Sequence, residues 1–242
     1  MKDIFNENFK GKTILEIGTG RGGTTRELAA ILSEYENSHL ITTDISDKNF
    51  CNLKKELLNY KIPIDFIKTD ACTLEGIEKE SIDYIVCNYT LCAINSNPGS
   101  EVIALDKFME VLKPGGVLYI EEEFPITFTQ NEKQEIWSDK WKILKSCTTL
   151  LGEATYNEIN PEVLIKILNI LKYRNIQLDV ETALFLGKDC LDFFMLRLNR
   201  NINAIENTKL TEGIKELAIS LKEKALKIGG MEIPTYSIIA YK

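Results

Sequence analysis

Four glycines fall within the six positions 18–23, GTGRGG, directly after the largely apolar run ILEI of residues 14–17. A segment with helical periodicity follows at once. The pattern predicts a buried strand, a tight turn and a helix start. Because glycine has no β-carbon, the turn can adopt backbone angles closed to other residues, and a ligand can lie against the main chain. The chain is therefore predicted to hold a nucleotide-like ligand at this turn.

The glycine spacing fits two kinds of site. Gly18, Gly20 and Gly23 satisfy the dinucleotide pattern GxGxxG, and Asp44 follows near the distance at which a ribose-binding carboxylate is expected. Glu16 favours the other kind, because a carboxylate at the end of a buried strand is costly unless it meets a cationic or donor group. The pyrophosphate of a nicotinamide cofactor would be repelled there, whereas the ammonium of a methionine would be attracted.

Residues 16–22 resemble the first motif of class I S-adenosylmethionine-dependent methyltransferases of the small-molecule type, acidic-x-G-x-G-x-G. A second resemblance lies in residues 113–116, Lys-Pro-Gly-Gly, which are predicted to end a helix and turn the chain into a strand. The resemblance covers residues 10–124. It implies an α/β fold of three αβα layers, with a Rossmann-like sheet of seven mostly parallel strands and an antiparallel last strand.

The resemblance implies S-adenosylmethionine as the cofactor. Asp44 ends the second predicted strand and is placed to accept ribose hydroxyls, with a helix cap as the alternative. Asp70 follows the third and would accept the adenine amine, with a turn former as the alternative. The fourth ends at Asn88, where the resemblance places the donor methyl. The predicted cofactor-binding residues are Glu16, Gly18, Thr19, Gly20, Asp44, Ile45, Asp70, Ala71, Asn88 and Tyr89.

Methyl transfer from a sulfonium mainly requires alignment of the reacting groups, and a base is needed only where the nucleophile keeps a proton. His39 is the only histidine and opens a predicted strand, away from the site. The candidates for catalysis are therefore Tyr89, Glu121 and Glu123. Consecutive strand residues point to opposite faces, so one or two of the carboxylates at 121–123 would face the site; a solvated charge run is the alternative. No metal is predicted.

The net charge of −7 disfavours a nucleic-acid acceptor, because the surface repels phosphates. The lysines at 133, 140, 142 and 145 are interspersed with acids and indicate a solvated face. A small-molecule acceptor is favoured. The alternatives are a nicotinamide-dependent oxidoreductase, an RNA- or protein-directed methyltransferase, and a non-catalytic subunit that keeps the fold.

One domain over residues 1–242 is predicted, with a lid-like segment at 125–160 and a helical insertion at 183–230 before a last strand at 234–241. The insertion would cover the site or pair two subunits, so a homodimer is one expected arrangement. No apolar run approaches the roughly 18 residues of a membrane span, which predicts a cytoplasmic protein without a membrane partner. Aromatic residues of the lid and insertion would either hold a flat substrate or form core: Trp137, Trp141, Tyr156, Phe193 and Phe194.

Overall fold

A computed structural model describes residues 8–187 and 189–242. Its seven strands are β1 (Thr13–Ile17), β2 (His39–Asp44), β3 (Ile64–Lys68), β4 (Ile82–Asn88), β5 (Leu112–Glu123), β6 (Arg174–Leu186) and β7 (Gly230–Tyr241). Its α-helices are α1 (Gly23–Leu32), α2 (Phe50–Glu56), α3 (Leu91–Ile94), α4 (Ser100–Val111), α5 (Glu132–Leu150), α6 (Pro161–Ile170), α7 (Asp192–Ile202) and α8 (Thr208–Ile228). No helix in these residues is long and apolar enough to cross a bilayer.

The strands form one sheet in the order β3-β2-β1-β4-β5-β7-β6. Strand β1 pairs in parallel with β2 and β4, and the parallel pairing continues outward to β3 and β5. Strand β7 is antiparallel to β5, because Lys242 N donates to Gly116 O near one end and Phe124 N donates to Pro234 O near the other, both at 3.0 Å. The prediction of a mostly parallel seven-stranded sheet with an antiparallel last strand is confirmed.

The central strands are buried because helices cover them. Every residue of β4 except the last is buried, which explains its continuous apolar sequence. Helix α1 buries Leu28, Ala29 and Leu32 in a cluster that includes Ile14 of β1 and Leu40 of β2. Polar functional side chains are therefore expected at the ends of the strands rather than in their interiors.

By residue contacts the chain divides into two compact units. The first comprises the described residues up to Glu122, Pro161–Asp179 and Ser237–Lys242, and the second comprises Glu123–Asn160 and Val180–Tyr236. The predicted lid segment contains α5, and the predicted insertion contains α7 and α8, with Lys188 outside the described residues. The assignment of one domain, with these roles for the two segments, stays a prediction.

Two boundaries differ from the sequence prediction. Residues 113–116 lie inside β5, where the register with β4 shifts between Ile82 and Tyr84 to accommodate them. A β-carbon on Gly116 would come within 2.9 Å of Lys113 O, so the close approach requires glycine. Strand β7 begins at Gly230 and runs through Pro234. Proline has no backbone N–H, but the strand tolerates it because Pro234 takes part through its carbonyl, which accepts from Phe124 N.

Candidate active site

The glycine turn follows β1, and three of its glycines have left-handed backbone angles, with φ of 84° at Gly18, 52° at Gly20 and 79° at Gly22. A β-carbon on Gly18 would collide with the side chain of Thr90, and one on Gly22 with Leu53. A β-carbon on Gly20 would meet nothing closer than 3.9 Å. Two glycines therefore serve packing, while the main chain at Gly20 borders open space that a ligand can use.

Glu16 lies in β1 with only 1% of its surface exposed. Thr42 Oγ1 donates to Glu16 Oε2 at 2.6 Å and also lies 2.6 Å from Thr19 Oγ1. Because a hydroxyl has one proton, Thr19 is the donor to Thr42. The other carboxylate oxygen, Glu16 Oε1, is buried and has no hydrogen-bond partner in the described residues.

Burial raises the pKa of the Glu16 carboxyl to about 7, the hydroxyls of Thr42 and Thr25 oppose this rise, and the charge of Asp44 adds to it. A carboxyl with this pKa is partly protonated at neutral pH. A cation placed at Oε1 would favour the ionised form, because an opposite charge in a buried setting stabilises the carboxylate.

Asn88 ends β4, the strand beside β1. Its Nδ2 donates to Thr24 Oγ1 at 3.0 Å, and its Oδ1 is buried without a hydrogen-bond partner in residues 8–187 and 189–242. The register pairs Ile17 with Cys87, so the chain segments at Gly18 and Asn88 leave neighbouring strand ends. Two buried acceptors therefore lack donors at these strand ends, and leaving such atoms unsatisfied costs about 1–3 kcal/mol each. A ligand ammonium would satisfy them.

Asp44 ends β2 and holds the glycine turn. Its Oδ2 accepts from Gly20 N at 2.8 Å and its Oδ1 accepts from Ser46 N at 2.8 Å. Each oxygen keeps a second lone pair that a ribose hydroxyl could use. The next residue, Ile45, is 70% exposed and offers an apolar surface beside the carboxylate. The alternative of a helix cap is not observed, because the residue before α2 is Asn49.

Asp70 and Ala71 follow β3. Asp70 is exposed, and its Oδ1 accepts from Cys72 N at 2.7 Å, which is the turn-forming contact that the sequence left as an alternative. Thr69 N donates to Asp44 O at 3.0 Å, so the loop that carries Asp70 is tied to the end of β2. The two predicted adenosine-binding carboxylates therefore lie on adjoining loops.

Tyr89 and Glu121 are brought together at the ends of β4 and β5. Tyr89 has a left-handed backbone with φ of 48° and is 47% exposed. Its hydroxyl donates to Glu121 Oε1 at 2.9 Å, and Tyr119 donates to Glu121 Oε2 at 2.7 Å. Burial, with the neighbouring Glu121, raises the pKa of Tyr119 well above its usual range, so that hydroxyl stays a donor. A non-glycine residue in this backbone region is uncommon and frequently marks a functional site.

Glu123 begins the second unit, where its Oε2 accepts from the indole nitrogens of Trp137 and Trp141, both at 2.6 Å. Trp137 is fully buried, so it belongs to the core rather than to a substrate surface. Glu122 is also buried and accepts from Cys92 N at 3.1 Å, so the alternative of a solvated charge run is wrong for this residue. The solvated face predicted for the lysines is wrong for Lys140, which is only 9% exposed.

Residues 14–116 match the sequence profile of a family described as methyltransferase domain. This part of the chain has the sequence signature of a methyltransferase domain. The predicted methyltransferase family is confirmed by this match, and the predicted fold by the order of the strands in the sheet.

Two relatives of the methyltransferase domain differ in what their names say they methylate. Phosphoethanolamine N-methyltransferase 1 of Triticum aestivum is 34% identical over 118 residues, which cover 48% of this chain and 22% of the relative. The tRNA N(3)-methylcytidine methyltransferase of Schizosaccharomyces pombe is 29% identical over 151 residues, which cover 58% of this chain and 47% of the relative. The chain therefore spans less than half the length of either relative.

A solved structure shares the fold of the whole chain. Phosphoethanolamine N-methyltransferase 2 of Haemonchus contortus, in complex with phosphomonomethylethanolamine and S-adenosylhomocysteine, superposes with a TM-score of 0.61 at 19% identity. The likeness covers 100% of this chain and 51% of that one. At this identity it establishes a common architecture.

Several contacts of the methyltransferase domain were not predicted from sequence. Thr42, Thr24 and Thr90 contact Glu16, Asn88 and Gly18, respectively. The available signal was the Thr-Thr-Asp end of β2, since a threonine inside an otherwise apolar buried strand needs a polar partner.

Proposed function

We propose that this chain transfers the methyl group of S-adenosylmethionine to a small-molecule acceptor. The observation that carries the proposal is the pair of buried acceptors without donors, Glu16 Oε1 and Asn88 Oδ1, at the ends of β1 and β4. An α-ammonium group carries a positive charge and three N–H donors, so it can serve both oxygens. The cost of burying them unpaired would be removed when the cofactor binds.

The adenosine half of the cofactor is proposed to lie along the ends of β2 and β3. Asp44 has free lone pairs for the ribose hydroxyls, and the exposed side chain of Ile45 would cover one face of the adenine. Asp70 would accept from the adenine amine, with Ala71 leaving room for the ring. Thr19 is proposed to act on the amino-acid half through its hydroxyl contact with Thr42.

Tyr89 and Glu121 are proposed to handle the acceptor's proton. S-adenosylmethionine supplies a methyl group on an activated sulfonium, so the protein mainly aligns the acceptor. Where the acceptor must lose a proton, the Tyr89 oxygen receives it while the Tyr89 hydroxyl proton passes along the 2.9 Å hydrogen bond to Glu121 Oε1. Glu123 stays a prediction as a catalytic residue, and its two indole contacts favour an anchoring role.

Charge favours a small acceptor. The net charge of −7 opposes the approach of a polyanion such as RNA. A small metabolite does not need a basic surface on the protein in order to bind. An RNA acceptor is the second candidate, because one relative is named as a tRNA methyltransferase. Incubation with S-adenosylmethionine and either bulk tRNA or a small-metabolite extract, read by mass spectrometry, separates the two.

Cofactor binding is the first experiment. Calorimetric titration with S-adenosylhomocysteine should give saturable binding, and NADH under the same conditions should give none. Binding of NADH in place of S-adenosylhomocysteine would overturn the proposal in favour of an oxidoreductase. Cofactor binding without methylation of any metabolite or RNA would instead support the non-catalytic alternative.

A further inference from the structure

The second unit contains a cavity of about 130 Å³ that none of the predicted cofactor-binding or catalytic residues lines. It lies between one face of α5, the segment 153–156 and the last turns of α7. A cavity of about 150 Å³ is large enough to bind benzene, so this one has room for a small molecule. All of its lining residues belong to the second unit.

Arginine and aromatic side chains meet at the wall of this cavity. The guanidinium carbon of Arg197 lies 5.6 Å from the ring centre of Trp141 and 5.7 Å from that of Tyr156. The two rings meet edge to face at 6.3 Å. Cation–π contacts with two rings hold Arg197 in place, and they leave its N–H donors free for a ligand.

The positive charge on the cavity wall is not neutralised. Lys145 is paired with Glu158 at 2.6 Å, so its charge is already balanced. By contrast, neither Arg197 nor Arg200 lies within ion-pair distance of a carboxylate in the part of the chain that the structure describes. Glu153 is the one carboxylate among the lining residues, and it is exposed.

Lys140 adds positive charge behind the same wall. Its Nζ lies 4.8 Å from the ring centre of Trp141. Burial lowers the pKa of Lys140 and the charge of Arg197 lowers it further, while Glu123 opposes the shift. Two cations thus share one indole ring, whose nitrogen donates to Glu123, and a second anion on the Arg197 side would stabilise this arrangement further.

We propose that this cavity binds the phosphate group of a small molecule, with Arg197 as the principal donor and Arg200 as the second. A planar guanidinium matches a phosphate with two parallel hydrogen bonds, and two arginines match its two negative charges. Asn201 on the lining supplies a further polar group. None of the residues proposed for cofactor binding or for proton transfer lines this site.

The test is calorimetric titration of the whole chain, at constant ionic strength, with inorganic phosphate and with phenyl phosphate. Saturable binding of both indicates a site for free phosphate, whereas binding of phenyl phosphate alone indicates a site for phosphate esters that uses the aromatic wall. Arg197→Gln should weaken binding by at least about tenfold. Arg200→Gln should weaken it less, because this residue is exposed.

Arg174→Gln is the matched control, since it removes the same charge from an exposed position on β6 and should leave binding unchanged. Arg197→Lys keeps the charge but loses the planar fork, so it should also weaken binding if Arg197→Gln fails to fold. S-adenosylhomocysteine binding should be equal in all variants, which separates this result from the proposed function. The proposal is overturned if neither phosphate binds above a sodium chloride control, or if Arg197→Gln and Arg197→Lys bind like the wild type.

Discussion

Thr42 donates a hydrogen bond to one oxygen of Glu16 at 2.6 Å, and the other oxygen of this buried carboxyl has no partner in the described part of the chain. The contact fixes the orientation of the carboxyl and leaves one acceptor for a ligand. Burial removes this carboxyl from water and thereby raises the pKa of Glu16 to about 7. Cofactor binding and protonation of this residue should therefore be linked.

Glu16→Gln is expected to weaken S-adenosylhomocysteine binding by at least about tenfold, because it removes a charged hydrogen-bond acceptor from a buried position. The wild-type protein should also release protons on binding between pH 6 and about 7, seen as a dependence of the calorimetric enthalpy on the buffer. The variant should not. Glu122→Gln, which alters another buried glutamate, is the control and should bind normally. Equal affinity in wild type and Glu16→Gln would contradict the assignment.

The stability of the unliganded protein is expected to depend on pH through Glu16. Its pKa is about 7 in the folded state against an ordinary 4.5, so the folded state binds the proton more tightly. This difference contributes roughly 3 kcal/mol to the free energy of unfolding. The contribution is fully present below pH 4.5 and is lost as the pH rises through about 7. Urea unfolding of wild type and Glu16→Gln from pH 4.5 to 8 isolates it. Parallel pH curves would show that the carboxyl is not desolvated.

Asp44→Ala is expected to weaken S-adenosylhomocysteine binding about tenfold or more, because the ribose hydroxyls would lose their acceptor and the glycine turn would lose its contact to Gly20 N. Asp47→Ala is the control in the same loop, since the Asp47 side chain is exposed and its ion pair within residues 8–187 and 189–242 is with Lys68, at 3.5 Å. Calorimetry on both variants checks the prediction. A similar loss in both would mean that general charge, not the ribose contact, is being measured.

Gly18→Ala is expected to lower the free energy of unfolding by roughly 2–5 kcal/mol, because the backbone is left-handed and the new methyl would meet Thr90. Gly20→Ala should cost roughly 1–2 kcal/mol, since only the backbone term applies there. Urea unfolding measures both. If the two variants were equally destabilised, the packing role assigned to Gly18 would be wrong.

Tyr89→Phe is expected to lower kcat by about 10²-fold or more, provided that the acceptor must lose a proton. Tyr119→Phe, which removes the other hydroxyl on Glu121, should retain most of the activity. Steady-state kinetics with the identified acceptor provide the measurement. Full kcat in Tyr89→Phe would leave Tyr89 as a positioning residue only.

The features predicted best from sequence depend on local signals. The glycine turn, the strand before it and the position of Asp44 all follow from strand periodicity and turn chemistry within a short stretch. The order and direction of the strands required the family resemblance, because periodicity alone does not say which strands pair.

The features missed from sequence depend on contacts between distant segments. Thr90 packs on Gly18, and Thr42 donates a hydrogen bond to Glu16. The two residues of each pair are far apart in sequence, so no local sequence pattern indicates the contact. Lys140 is buried although it lies in a charged helix, because its alkyl chain and ammonium pack near Trp141. The charge pattern of a helix does not predict which face of the helix is covered by another segment of the chain.

The packing of Thr90 over Gly18 has a mechanical consequence. The glycine turn, which is proposed to bind the amino-acid end of the cofactor, and the loop that carries Tyr89 are packed against each other through Thr90, so a shift of one loop should displace the other. A ligand that steadies either loop therefore steadies its neighbour.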